Sequence, residues 1–275
     1  MINRGKIILV FFVVACALFI GQSAHAQNFP FAVEDVPNIV GVGVAMLPDY
    51  EGSEDYTVGG APFFRLTYPK SNLYATLLAT ELYVNVLDHP WLRLGPCVNY
   101  RFGRKSGDID DKVVKLMTDI DGAFEVGGFV GVEFVDSQNP RQRFLASAEI
   151  LSDVSSTYNG YNATVSARYW YPVAQMVDVT LGVGAAYGGE NYMETYFGVT
   201  QENSDRSGLP VFRADSGWKD FRVIPGVVVH LSRDWHVGAG LRYSRLLADA
   251  NDSPVVKDRG AQDQFIYGLA VAYSW

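Results

Sequence analysis

Cysteine is nearly absent: the 275-residue chain has two, Cys16 and Cys97, and only Cys97 remains if the N-terminal segment is removed. An exported chain with a single cysteine has no internal disulfide, so its stability must come from elsewhere. Histidine is scarce too, with four in all, which leaves little for imidazole catalysis or metal binding. Basic residues number 22 against 30 acidic ones, a net charge of −8, and this argues against nucleic acid as a partner. Beyond residue 26 no stretch approaches the roughly 18 uninterrupted apolar residues of a membrane-spanning helix. There is no internal repeat, no low-complexity segment and no second domain.

What is present begins with an export signal. Arg4 and Lys6 precede an almost wholly apolar run from Ile7 to Ile20, and Ala24-His25-Ala26 supplies a small-x-small cleavage site. Residues 1–26 therefore read as a secretory signal peptide cut between Ala26 and Gln27. Val13-Val14-Ala15-Cys16 also resembles a lipidation box, but the apolar run continues past Cys16 and a better cleavage site follows. Residues 27–38 read as a periplasmic lead-in and 39–275 as one domain.

That domain holds 16 Tyr, 16 Phe, 5 Trp and 27 Gly at nearly neutral mean hydropathy. Such a mixture is expected when apolar and polar positions alternate along every strand of a membrane barrel. Alternation is indeed the dominant signal from Val40 onward. In the last segment Phe265, Tyr267, Leu269, Val271, Tyr273 and Trp275 share one face, and Gln264, Ile266, Gly268, Ala270, Ala272 and Ser274 the other. The first face suits lipid and the second a lumen. Candidate strands fall at 39–47, 61–68, 72–78, 80–87, 91–103, 122–135, 142–151, 160–171, 176–187, 219–231, 235–247 and 264–275. Short connections alternate with others that include long ones at 48–60, 104–121, 188–218 and 248–263, the pattern of periplasmic turns and extracellular loops. Lipid cannot satisfy an open sheet edge, so the strands must close on themselves. The expected fold is all-β: a closed antiparallel transmembrane barrel of about 12 strands in the outer membrane, or 10 if the break near Ala79 is absent.

Several segments resemble one family. Gly41-x-Gly43, Pro48-Asp49-Tyr50, Gly52-Ser53 and Tyr56 resemble the start of the MltA-interacting protein/OmpV family of outer-membrane proteins. Gly95-Pro96, Arg101-Phe102-Gly103-Arg104, Tyr196-Phe197-Gly198-Val199 and Ser253-Pro254-Val255-Val256 follow in order. Trp275 departs from the phenylalanine with which the family more often ends. The resemblance implies an outer-membrane barrel, with Tyr273 and Trp275 as the signal read by the barrel-assembly machinery. It implies lipid and lipopolysaccharide surroundings and no cofactor. It also implies a non-catalytic scaffold linking a murein transglycosylase to a murein synthase. A narrow channel for small solutes or antibiotics, and a surface adhesin, are the alternatives that the family carries.

Candidate lumen residues follow from strand parity: Arg65, Glu81, Arg93, Arg101, Glu125, Glu133, Arg143, Glu149, Arg168, Asp178, Arg222 and Arg242. They are read either as networks filling a small barrel, since unpaired buried charge is costly, or as a polar path. A three-residue turn at 232–234 would bring His230 and His236 together inside the periplasmic mouth, with no acidic residue evident beside them. Polar lining is the first reading of that pair and metal binding the second. Asp108, Asp110, Asp111, Asp119 and Asp121 make 105–121 an acidic loop without calcium-loop spacing. The motif loops, including Pro48 to Ser53 and Ser253-Pro254, are expected to fold over the mouth and pack on one another.

Overall fold

A computed structural model describes residues 38–275. The expected signal peptide and most of the lead-in lie outside the described residues. The twelve strands are β1 (Ile39–Pro48), β2 (Tyr56–Thr67), β3 (Tyr74–Leu78), β4 (Glu81–Asn85), β5 (Leu92–Arg101), β6 (Ala123–Val135), β7 (Arg143–Asp153), β8 (Tyr161–Ala174), β9 (Val177–Gly188), β10 (Gly217–His230), β11 (Trp235–Leu246) and β12 (Asp263–Ser274). Each pairs antiparallel with its sequence neighbours, and β1 pairs with β12 to close the barrel. Closure leaves no free edge along the seam, as lipid requires.

Parity sets the two faces. Outward valines such as Val42, Val44, Val126, Val130 and Val165 form the exposed middle band. Exposed aromatics flank it at both ends. Trp91, Phe134, Tyr171, Trp235, Tyr273 and Trp275 lie at the end with the short turns, and Phe102, Phe124, Tyr161, Trp218 and Phe265 at the other. Two aromatic girdles around an apolar band are the lipid-facing surface of an outer-membrane barrel.

The break at Ala79 exists, which decides for twelve strands over ten. It is a two-residue turn between β3 and β4, with Ala79 at a φ of 55°. Two boundaries differ from expectation. β2 starts at Tyr56 and not at 61, because residues 57–60 pair with Leu47 back to Val44 on β1. The first outer connection therefore shrinks to 49–55. Length does not alternate strictly either, since 79–80 and 154–160 are short connections at the long-loop end.

The long connections carry helices and most of the dry core. α1 (Glu190–Phe197), α2 (Gln201–Ser207), α3 (Ala248–Asp252) and α4 (Pro254–Lys257) sit over the outer mouth, with short 3-10 turns at Ser106–Asp108 and Val114–Leu116. One apolar cluster joins Tyr158, Tyr192, Met193, Phe197, Leu246 and Val256, and a second joins Tyr50, Val114, Met117, Val199 and Val255. A barrel wall buries little apolar surface inside, so this cap supplies the hydrophobic core that the lumen lacks.

The family motif is the clasp of the cap. Gly52 N–H donates to Gln264 Oε1 at 3.2 Å, and Gln264 Nε2 returns a bond to Ser53 O at 3.0 Å. Ser253 Oγ donates to Phe197 O at 2.5 Å and caps α4, where Pro254 takes the first turn. Asp49 accepts from the Asp110 N–H at 3.2 Å, and Tyr50 is buried in the second cluster beneath Arg104. Pro48 ends β1 and delivers the chain to this turn.

The acidic loop spends its carboxylates locally. Asp111 pairs with Arg259 and accepts from the N–H groups of Val113 and Val114; Asp119 accepts from Ser106 N–H, and Asp121 meets Lys105 at 3.3 Å. Burial pushes the Asp111 carboxyl up, but Arg259 and the two N–H groups outweigh it, and it rests below its ordinary 3.8. A depressed carboxyl stabilises the fold above its unfolded value and loses that contribution as pH falls through its folded one. Loop 105–121 should therefore keep its hydrogen-exchange protection at neutral and mildly acidic pH and lose it below 3.8. Asp111→Asn should remove that pH dependence, and an unchanged profile in the variant would count against the clamp.

Candidate functional site

The inward side chains form three tiers. Nearest the short turns, Glu133 is buried between Arg93 Nε at 2.9 Å and Arg65 at 3.3 Å. Arg65 and Glu133 belong to β2 and β6, so this contact crosses the interior. Arg65 also lies 3.9 Å over the ring of Tyr74, and Arg143 lies 4.1 Å over Trp170, with Arg168 at 5.7 Å from the same ring. The Trp170 ring serves as a partner for two guanidinium groups that make no ion pair among the described residues, and the Tyr74 ring adds to the Arg65–Glu133 pair.

His230 and His236 are register partners across the β10–β11 turn, with Nδ1 atoms 2.8 Å apart. The expectation that no acidic residue stands beside them is corrected here. Asp178 Oδ2 is 2.8 Å from His230 Nε2, because the β9–β10 register sets Asp178 against Val228, one pleat away. Ser274 Oγ meets His236 Nε2 at 2.8 Å, and Arg141 bonds Asp178 from the neighbouring turn. The result is a continuous chain, Arg141–Asp178–His230–His236–Ser274, along the periplasmic rim. Among the described residues no three His, Cys, Asp or Glu side chains gather to hold a metal ion.

The middle tier is apolar on one side. Cys97, Phe129 and Leu151 pack with Tyr83, whose ring meets Phe129 edge-on at 5.4 Å. This cluster fills the lumen beside β4 to β7. The facing wall is lined by small residues, among them Gly43, Gly226, Gly238, Gly240 and Gly268, which present no side chain to the lumen. The large side chains of the middle tier are thus gathered on one flank, and glycines are concentrated on the other.

In the outer tier Glu125 is fully buried and accepts from Asn99 (2.6 Å), Arg101 (2.8 Å), Tyr158 (2.7 Å) and Asn162 (3.1 Å). Arg101 also lies 4.9 Å over Tyr192, which ties the barrel to the cap. Asp220 accepts from Arg222 at 2.9 and 3.0 Å and from Lys219 at 2.6 Å, and Lys219 also binds Glu51. Lys219 and Asp220 escaped the sequence reading. A bulge between Trp218 and Asp220 turns Lys219 inward against its parity, so no alternation could have revealed it.

Beneath the cap lies a vestibule of about 310 Å³ lined by Glu81, Glu149, Arg101, Arg222 and Arg242, with Thr80, Tyr100 and Phe102 also on its wall. A larger groove of about 510 Å³, bounded by Leu66, Tyr68, Leu73 and Val86, is on the outer surface of β2 to β4, where acyl chains lie. The vestibule is the candidate site, because of these two cavities it is the one lined by charged groups.

A family model described as MltA-interacting protein MipA matches residues 40–275. The MltA-interacting protein of Escherichia coli K12 is 36% identical over 78 residues, 28% of this chain and 31% of that protein. A second protein of that strain, YiaT, provisionally named as an outer membrane protein, is 26% identical over 129 residues, 45% of this chain and 49% of its own length. The matched stretches span less than half of each relative. Among solved structures, an outer membrane channel from Pseudomonas putida F1 is similar at 12% identity, covering 92% of this chain and 100% of that one at a TM-score of 0.47.

Proposed function

Since the chain belongs to the MltA-interacting protein MipA family, we propose that it is a non-catalytic outer-membrane scaffold whose periplasmic rim engages a murein transglycosylase and, with it, a murein synthase. The observation that carries this reading is the family match along the whole barrel, together with the name borne by the Escherichia coli relative. The rim supports it physically. Its turns are short, and Arg141 bonds the carbonyls of Ala174 and Gln175 as well as Asp178, so the exposed groups stand in fixed positions. A partner meeting such a rim has little loop ordering to offset. Tyr273 and Trp275, stacked on the outer surface at 6.1 Å, serve as the assembly signal, and lipopolysaccharide surrounds the outer girdle.

The test is affinity capture from crosslinked, detergent-solubilised envelopes. A murein transglycosylase should be recovered with the wild type. Recovery should fall several-fold when the exposed rim residues Lys70, Gln138 and Arg233 are replaced together by alanine, with heat-modifiable gel migration unchanged. Capture that brings down neither class of murein enzyme would end the scaffold reading. The glycine-rich inner face of β1, β11 and β12 favours a second reading, a narrow channel. It predicts discrete conductance steps in planar bilayers, and electrical silence in every salt would remove it.

A further inference from the structure

The charges around the vestibule do not cancel in place. Lys219 and Arg222 are matched by Glu51 and Asp220 in one compact network. Arg242 stands outside that network. It lines the cavity, makes no ion pair among the described residues, and its Nε is buried without a hydrogen-bond partner. On the other wall, Glu81 and Glu149 share one neutral donor, and Glu149 has the Thr164 hydroxyl as a second. The Tyr83 hydroxyl lies 3.1 Å from Glu81 and 2.5 Å from Glu149, and its single proton can serve only one of them at a time. Neither carboxylate is in contact with a guanidinium or ammonium group, although Glu81 lies within electrostatic reach of both Arg222 and Arg242.

Strand order fixes which wall each charge occupies. Glu81 belongs to β4, which lies halfway round the barrel from β10 and nearly so from β11, the strand of Arg242. With Arg101 beside Glu81 already paired to Glu125, and Lys219 and Arg222 paired to Glu51 and Asp220, the unpaired charges are Arg242 on one side of the vestibule and Glu81 and Glu149 on the other. Holding both charges partly buried and apart is costly unless something joins them. A simple anion would satisfy Arg242 and be repelled by Glu81 and Glu149; a simple cation would do the reverse. A molecule carrying both signs satisfies both walls and adds no net charge to the lumen.

We propose that the vestibule binds a small zwitterion, a primary amine and a carboxylate on one short chain, with the carboxylate on Arg242 and the ammonium group between Glu81 and Glu149. The volume, about 310 Å³, is at the lower end of the roughly 300–1,000 Å³ typical of small-molecule sites, which suits an amino acid and excludes a long peptide. This binding is separate from the scaffold reading, since it uses the outer end of the barrel and no protein partner.

The test is calorimetric titration of the refolded full chain in detergent with glycine, β-alanine and γ-aminobutyrate, against propionate and propylammonium as controls. At least one amino acid should bind saturably and about tenfold or more tighter than either control, as one charge-assisted hydrogen bond more would produce. Arg242→Gln and Glu81→Gln should each abolish that advantage while heat-modifiable migration confirms folding. If Arg242→Gln does not fold, Glu81→Gln and Glu149→Gln carry the same test from the anionic wall. Equal binding of propionate or of propylammonium overturns the assignment, and so does the lack of saturable binding for all five probes.

Discussion

Glu125→Ala is expected to lower the unfolding free energy of the barrel by about 3–5 kcal/mol, the range for breaking a buried ion pair by removing one partner. Glu125 is fully buried and gathers four donors from three directions: Asn99 and Arg101 on β5, Asn162 on β8, and Tyr158 in the outer connection. Removing the carboxylate leaves the largely buried Arg101 guanidinium without its ion pair and releases two amides and a phenol at once. Urea unfolding followed by tryptophan fluorescence in detergent would measure it. The double variant Glu125→Leu with Arg101→Leu should recover much of the loss, because the orphaned charge is gone as well. A single-variant loss of less than about 1 kcal/mol, the worth of an exposed pair, would mean that water already satisfies this hub.

The second large effect is expected at the clasp. Gly52 has a φ of 101°, in the region that L side chains rarely adopt, and a Cβ there would stand 2.5 Å from Val256 Cγ2. Gly52→Ala should therefore cost roughly 1–3 kcal/mol in backbone strain, and Val256 must move as well. Val256 belongs to the cluster that holds α1 and α3 over the mouth, so the damage should appear in the cap and spare the wall. Proteolysis of intact cells should cut within 189–216 and 247–262 in the variant but not in the wild type, while the barrel keeps its heat-modifiable shift. Equal resistance in both would show that the cap does not depend on this turn.

How much of this was legible beforehand depends on which physical signal was at work. Parity carried the strands and the inward arginines and carboxylates, because a side chain in a β-strand has only two faces to choose between. Where the backbone departs from plain pleating, parity fails: Lys219 faces inward only because of the bulge at Trp218/Asp220. Register between strands distant in sequence was equally hidden, and Asp178 reaches His230 through it. The start of β2 was lost because Gly59-Gly60 reads as a turn, whereas pairing with β1 overrides local preference there. Ala79 gave no turn signal, being an alanine in a left-handed conformation that glycine or asparagine usually takes. The cap helices, of which α1 is the longest at eight residues, are too short for helical periodicity to emerge. The packing of the motif loops was legible only through family resemblance, never through the residues themselves.

The short β3–β4 hairpin has a consequence for the membrane around it. Each of its strands has five residues, a rise of about 17 Å at roughly 3.4 Å per residue, whereas the apolar band of such barrels is about 25 Å tall. β2 extends beyond the hairpin from Tyr56 to Ala61, paired there only with β1, while the Pro62 carbonyl accepts from the Ala79 N–H. Acyl chains cannot hydrogen-bond the carbonyl and amide groups along that side, so headgroups and their water must dip into the gap and thin the bilayer locally.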